Sequence, residues 1–131
     1  MIDQLLQELG GTAEPYLVGF GGMIGASLRH VVSTWVEREE FPLGTLTVNI
    51  LGSFLLGLLT FAGVTDSTML LFGVGLCGSF TTFSSFSVDT VQLWEAGDRF
   101  VATGYALGNF LGAVAAIGAA WLLVTGLGGM L

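Results

Sequence analysis

Apolar residues fall in four long blocks along the chain, separated by three short polar stretches. Each block is close to the roughly 20 residues that a helix needs to cross a bilayer. The predicted crossings run over 16–36, 43–63, 69–94 and 101–124. Ahead of them, Ile2, Leu5, Leu6 and Leu9 recur at helical spacing, with Asp3, Gln4, Gln7 and Glu8 between them. That pattern predicts a short amphipathic helix lying at the membrane interface. Gly10-Gly11-Thr12 ends it, and Pro15 opens the first crossing. The expected organisation is an interfacial segment (1–14), one four-helix transmembrane domain (15–125) and an unordered Gly-rich tail (126–131).

The third block breaks the pattern. From Cys77 to Ser87 it holds six hydroxyl side chains and three Phe, without a single charge. At membrane depth such a segment must face protein or water, because lipid offers its hydroxyls no partners. Gly73, Gly75 and Gly78 disturb helix regularity just upstream. An interruption is therefore expected near residues 78–82, in mid-membrane, on a helix lining a pathway. Unwinding there would free backbone carbonyls, which can hold a cation. Phe83 and Phe86 are neighbours on one helical face. Their electropositive edges could line an anion's route, although a packing stripe is the simpler reading of the spacing alone.

The other blocks carry polar faces too. Thr45 and Asn49 are four apart, with Gly52 and Ser53 one turn on; on spacing alone Asn49 reads as a hydrogen bond gluing helices together. Gly21 and Gly25, and Gly22 and Ala26, are paired four apart on the first crossing, where small residues let backbones approach. Arg29 follows, either an interface anchor or a charge shaping the field of a vestibule. In the fourth crossing Gly104, Gly108 and Gly112 form one stripe and Tyr105 and Asn109 another. Polar faces on three crossings of one small bundle predict an oligomer, most simply a dimer.

Composition agrees. The chain of 131 residues is 53% hydrophobic and 10% charged, against about 25% charged in soluble domains, so it is an integral membrane protein. Its net charge of −7, with no lysine, argues against nucleic acid as a partner. One cysteine and one histidine make a poor metal set, and His30 has no mid-membrane carboxylate to pair with, so enzyme chemistry is not expected. A proton-coupled exporter would need a carboxylate inside a helix; Glu14 and Asp89 read as lying near helix ends. Arg29, Arg38 and Arg99 lie in or beside the first and third loops, which puts both termini outside. So small a bias would also let the chain insert both ways.

Three motifs resemble one family. Gly75-Leu76-Cys77-Gly78-Ser79-Phe80-Thr81-Thr82-Phe83-Ser84-Ser85-Phe86 resembles the G-x-C-G-x-x-T-T-F-S-T-F signature of the CrcB/Fluc fluoride channels. The run from Gly21 to Arg29 is similar to their first-helix G-G-x-x-G-A-x-x-R, and the run from Gly44 to Phe54 to their second-helix G-T-x-x-V-N-x-x-G-S-F. The resemblance implies an antiparallel, dual-topology homodimer of four-helix subunits that passes fluoride passively out of the cytoplasm. It implies a pore lined by Asn49, Phe83 and Phe86, with Thr45, Ser84, Ser85, Tyr105 and Asn109 along a polar track and Arg29 near the entrance. It further implies a structural sodium ion at the dimer centre, held by the backbone carbonyls of Gly78 and Thr81. Position 109 departs from the family, where Ser is expected, and Ser85 stands in place of Thr. The remaining alternative is a small proton-coupled four-helix exporter.

Overall fold

The structure is a computed structural model that describes residues 1–8 and 14–130. It is all-helical among those residues. Helix α1 (Ile2–Glu8) exposes Ile2 and Leu5, and Met1 just ahead of it is exposed as well. The expected end of that helix, Leu9 through Thr12, lies outside the described residues. Helix α2 (Glu14–Val36) carries Pro15 in its first turn, where the missing N–H costs nothing. Helix α3 (Leu43–Ala62) stops at Gly63, whose φ of 65° reaches the left-handed region and returns its N–H to the Thr60 carbonyl at 3.3 Å.

The third crossing is built in pieces. Helix α4 (residues 66–80) starts with one α turn, Asp66–Thr68, capped by the Thr65 hydroxyl. It widens into a π-helical stretch, Met69–Cys77, and closes with Gly78–Phe80. Thr81 and Thr82 are extended, and helix α5 (Phe83–Glu95) then restarts. The expected interruption is present, confined to Thr81 and Thr82 rather than beginning at Gly78. Gly97, with φ 94°, turns the chain into helix α6 (Arg99–Met130). That helix runs through the tail expected to be unordered. No proline interrupts it, and none of its late glycines adopts positive φ, so nothing ends the hydrogen-bond ladder before Met130.

Among the described residues, three helical stretches are long and apolar enough to cross a membrane: Leu43–Ala62, Asp66–Glu95 and Arg99–Gly129. Their outer faces expose large apolar side chains such as Phe72, Leu111 and Trp121, which suits lipid rather than water. The buried core is small. Val48, Leu76, Cys77 and Phe80 form its centre, directly beside the break. Helix α3 packs chiefly on α6, and α2 chiefly on the π-helical stretch.

Glycine makes the second contact possible. A Cβ on Gly21 would run into the Leu71 carbonyl oxygen, and one on Gly25 into the Leu76 carbonyl oxygen. On the facing side, a Cβ on Gly75 would lie 2.7 Å from the Val18 oxygen. Of the three glycines expected to disturb α4, Gly75 thus admits α2 against its widened turn. Gly19, on the same helix, has open space where a methyl would sit, with nothing within 4 Å. Gly25→Val is therefore expected to destabilise the fold by at least about 1–3 kcal/mol, the usual cost of overpacking. Gly19→Ala should be neutral or stabilising by up to about 1 kcal/mol. Reversible unfolding in mixed micelles measures both; equal stability of the two variants would refute the close approach.

Candidate functional site

The break at Thr81 and Thr82 leaves backbone groups without helical partners, and Asn49 takes both groups of Thr82. Its Oδ1 accepts the Thr82 N–H at 2.8 Å, and its Nδ2 donates to the Thr82 carbonyl at 3.1 Å. In an unbroken helix that N–H would go to the Gly78 carbonyl four residues back. Asn49 thus substitutes for a turn of backbone and releases Gly78. The fit is set by α3, where Gly52 leaves room for the Thr81 methyl.

The network extends in two directions. Asn49 Nδ2 also donates to Asn109 Oδ1 at 3.1 Å, and Asn109 Nδ2 donates to the Tyr105 carbonyl at 3.0 Å. Thr82 Oγ1 accepts the Ser85 N–H at 3.2 Å, capping α5, and lies 3.3 Å from the Ser84 hydroxyl. Helix α5 therefore begins at the break, with the positive end of its dipole there. Further along, the Tyr105 hydroxyl donates to Asp89 Oδ2 at 3.0 Å, and the Thr45 hydroxyl donates to the same oxygen at 2.9 Å.

Aromatic rings run alongside. Phe83 and Phe86 have centroids 5.7 Å apart, Phe86 and Tyr105 5.8 Å, and Phe41 meets Tyr105 edge-on at 5.5 Å. Phe83 is 79% exposed, while Tyr105 is completely buried.

Two cavities meet at Thr82. One, of about 400 Å³, is lined by Asn49, Gly78, Thr81, Phe83, Phe86 and Asn109. The other, of about 390 Å³, is lined by Arg29, Thr45, Thr82, Ser85 and Asp89. The structure thus gathers the expected residues into one continuous region. Asn49 and the phenylalanines face the more apolar cavity, and Arg29, Thr45 and Ser85 the charged one. Ser84 and Tyr105 join through hydrogen bonds. Arg29 Nη1 approaches the Thr81 carbonyl at 3.5 Å.

Two members of the region are not among the expected site residues. Thr82 belongs to the expected break but has no role legible in the sequence, because its partners are non-local. Asp89 reads from the sequence as lying near a helix end, yet it is in the middle of α5, six residues before Glu95. A signal for it exists: it lies three residues after Phe86 and four after Ser85, on the face they share. No group of three or more His, Cys, Asp or Glu that could hold a metal occurs among the described residues.

Comparison with known proteins gives a consistent answer. The family model described as CrcB-like protein, Camphor Resistance (CrcB), matches residues 16–122. The chain is 61% identical over 109 residues to fluoride-specific ion channel FluC 2 of Haloarcula marismortui, covering 83% of this chain and 92% of the relative. It is 54% identical over 116 residues to FluC 1 of Halobacterium salinarum, covering 88% and 98%. It is 44% identical over 104 residues to FluC 1 of Geobacillus kaustophilus, covering 74% and 90%.

The Asn49 clasp makes a direct prediction. Asn49→Leu strands the Thr82 N–H and carbonyl, each at about 1–3 kcal/mol, so stability should fall by at least about 2 kcal/mol. Ser53→Ala, on the same face, should stay within about 0.5 kcal/mol of the parent. The reversible unfolding assay reads the difference, and similar stabilities would show that Thr82 does not depend on Asn49.

Proposed function

The chain belongs to the CrcB family, and from that membership we propose that it is a passive, fluoride-selective channel that exports cytoplasmic fluoride. It is a multi-pass protein of the cell membrane. The observation that carries the functional reading is the cavity at the helix break. Neutral amide donors, aromatic edges and the positive end of α5 converge there, and no cationic side chain lines it among the described residues. Such groups replace part of an anion's hydration shell without trapping it. The membrane potential then drives export, and no catalytic step is needed.

In this reading α2 also crosses the membrane, bringing the crossings to four. Its 23 residues span about 34 Å, enough for a hydrocarbon core of about 30 Å. A second, antiparallel copy completes the pathway. The exposure of Phe83 and Phe110 on an open cavity supports that assembly, since one chain leaves the aromatic wall half-built. The break also suits a structural sodium ion. Gly78 has lost its helical N–H donor to Asn49, and Thr81 is extended, its oxygen meeting only the long Arg29 contact among the described residues. The two carbonyls would hold the ion from each copy, and its charge would balance their converging dipoles.

Asp89 favours one rival. A carboxylate inside the bundle is what a proton-coupled exporter requires. Against it, Asp89 Oδ2 already accepts two hydroxyl hydrogen bonds, which tie the carboxylate to α3 and α6 as a structural group.

Fluoride efflux from liposomes tests the proposal, with a fluoride electrode, valinomycin to carry potassium, and chloride-loaded vesicles as control. Fluoride should leave rapidly and chloride should not. Efflux should follow the imposed potential at symmetric pH. Phe83→Ile and Phe86→Ile should each cut the fluoride rate at least about tenfold, equivalent to about 1.4 kcal/mol, while the protein keeps its assembly size. Wild-type rates in the folded double variant would remove these rings from the pathway, and fluoride retention by folded wild-type protein would reject the function.

A further inference from the structure

Arg29 is placed by the same packing that braces α4. Gly25 lies against the Leu76 carbonyl oxygen, and Arg29 follows Gly25 by four residues, on the same face of α2. The guanidinium therefore comes up beside the end of α4, where the chain opens at the break. Among the described residues its one hydrogen bond goes to the Thr81 carbonyl, with Nη1 3.5 Å from the oxygen. The carboxylates of Glu37 and Asp89 line the same cavity as Arg29, yet that bond goes to backbone.

A cation at this position has a physical reason. The last carbonyls of a helix carry partial negative charge, and α4 ends at Phe80. Arginine supplies a positive charge with five N–H donors, and the contact is partly buried, so water screens that charge incompletely. The Thr81 oxygen is also one of the two carbonyls that suit a sodium ion. A carbonyl oxygen has two lone pairs and can accept from two directions. A guanidinium and a metal ion on the same oxygen would nonetheless be two like charges side by side, and where the effective dielectric is low that repulsion is strong.

We infer that Arg29 is a built-in competitor for the cation at the break: its guanidinium occupies the Thr81 carbonyl and weakens sodium binding there. The inference rests on the proposed sodium site and adds to it a residue that opposes the ion. Arg29 balances the end of α4 within one chain, as the ion would between two. Its charge is fixed to α2, outside the break that supplies the carbonyls.

The experiment uses the full chain in micelles, with sodium chloride titrated against N-methyl-D-glucamine chloride at constant ionic strength. The thermal unfolding midpoint gives the sodium concentration of half-maximal stabilisation. Arg29→Gln removes the charge and keeps a polar side chain; it is expected to lower that concentration at least about fivefold. Arg29→Lys restores the charge and should restore most of the wild-type value. A smaller fall in Arg29→Gln, no change or a rise overturns the inference, and so does a value for Arg29→Lys as low as that of Arg29→Gln. If Arg29→Gln does not fold, ¹⁵N-Arg labelling of the wild type takes its place. The chain has three arginines, Arg29, Arg38 and Arg99, and the Arg29 side-chain signal is the one that persists in both Arg38→Gln and Arg99→Gln. Added sodium should move it; an unmoved signal in protein that sodium stabilises overturns the inference. Absence of sodium dependence in the wild type overturns the sodium site and this inference with it, whereas fluoride efflux from liposomes of the same protein judges the channel function separately.

Discussion

The structure depends on one pairing, the two hydrogen bonds between the Asn49 side chain and the Thr82 backbone. A helix cannot stop inside a membrane unless something satisfies the groups it abandons. Asn49 does this with an acceptor and a donor on one rigid, planar amide. The pairing has two consequences at once. It detaches the Gly78 carbonyl from the ladder, and it lets α5 begin anew with its own cap. The break is therefore a constructed feature, with a carbonyl-rich side and an N–H-rich side back to back.

The π-helical stretch before the break is part of the same solution. Widening α4 between Met69 and Cys77 shifts the register of the residues that follow. Insertions of this kind recur near functional sites. Here the widened backbone is braced by α2, whose Gly21 and Gly25 lie directly against the Leu71 and Leu76 carbonyl oxygens. A close, glycine-mediated backbone contact thus stands on one side of the break, and the hydrogen-bonded asparagines stand on the other. Between these supports the site is held in place without a large apolar core.

Much of this is legible in the sequence, for reasons that differ by feature. Three of the expected crossings, 43–63, 69–94 and 101–124, follow from block length, and α3 ends where Gly63 permits the left-handed turn. The interruption follows from hydroxyl residues that lipid cannot accept. The π-helical turn is not legible, because glycine marks irregularity without saying which kind. The tail departs from expectation because glycine alone does not end a helix. The spacing of Asn49 suggests glue between helices, and that is what its bonds provide, but to a backbone as well as to a side chain. That distinction depends on the separation between α3 and the break, which no local pattern encodes. Counting residues to the nearest loop sets Asp89 at a helix end, when its spacing from Phe86 and Ser85 is the better guide.

The charged groups pose a last physical question, since an anion pathway that passes a carboxylate should be repulsive. Asp89 and Arg29 line the same cavity, so the region beyond Thr82 is not uniformly negative. The hydroxyls of Thr45 and Tyr105 both point their protons at Asp89. They spread its charge, and they are thereby withheld from any other acceptor while that arrangement lasts. The cavity lined by Phe83 and Phe86 has no carboxylate among its lining residues. The division at Thr82 separates a cavity lined by Arg29, Glu37 and Asp89 from one whose lining carries no charged side chain. On the proposed reading the uncharged side is where an anion would exchange part of its hydration shell for neutral groups, which hold it without trapping it.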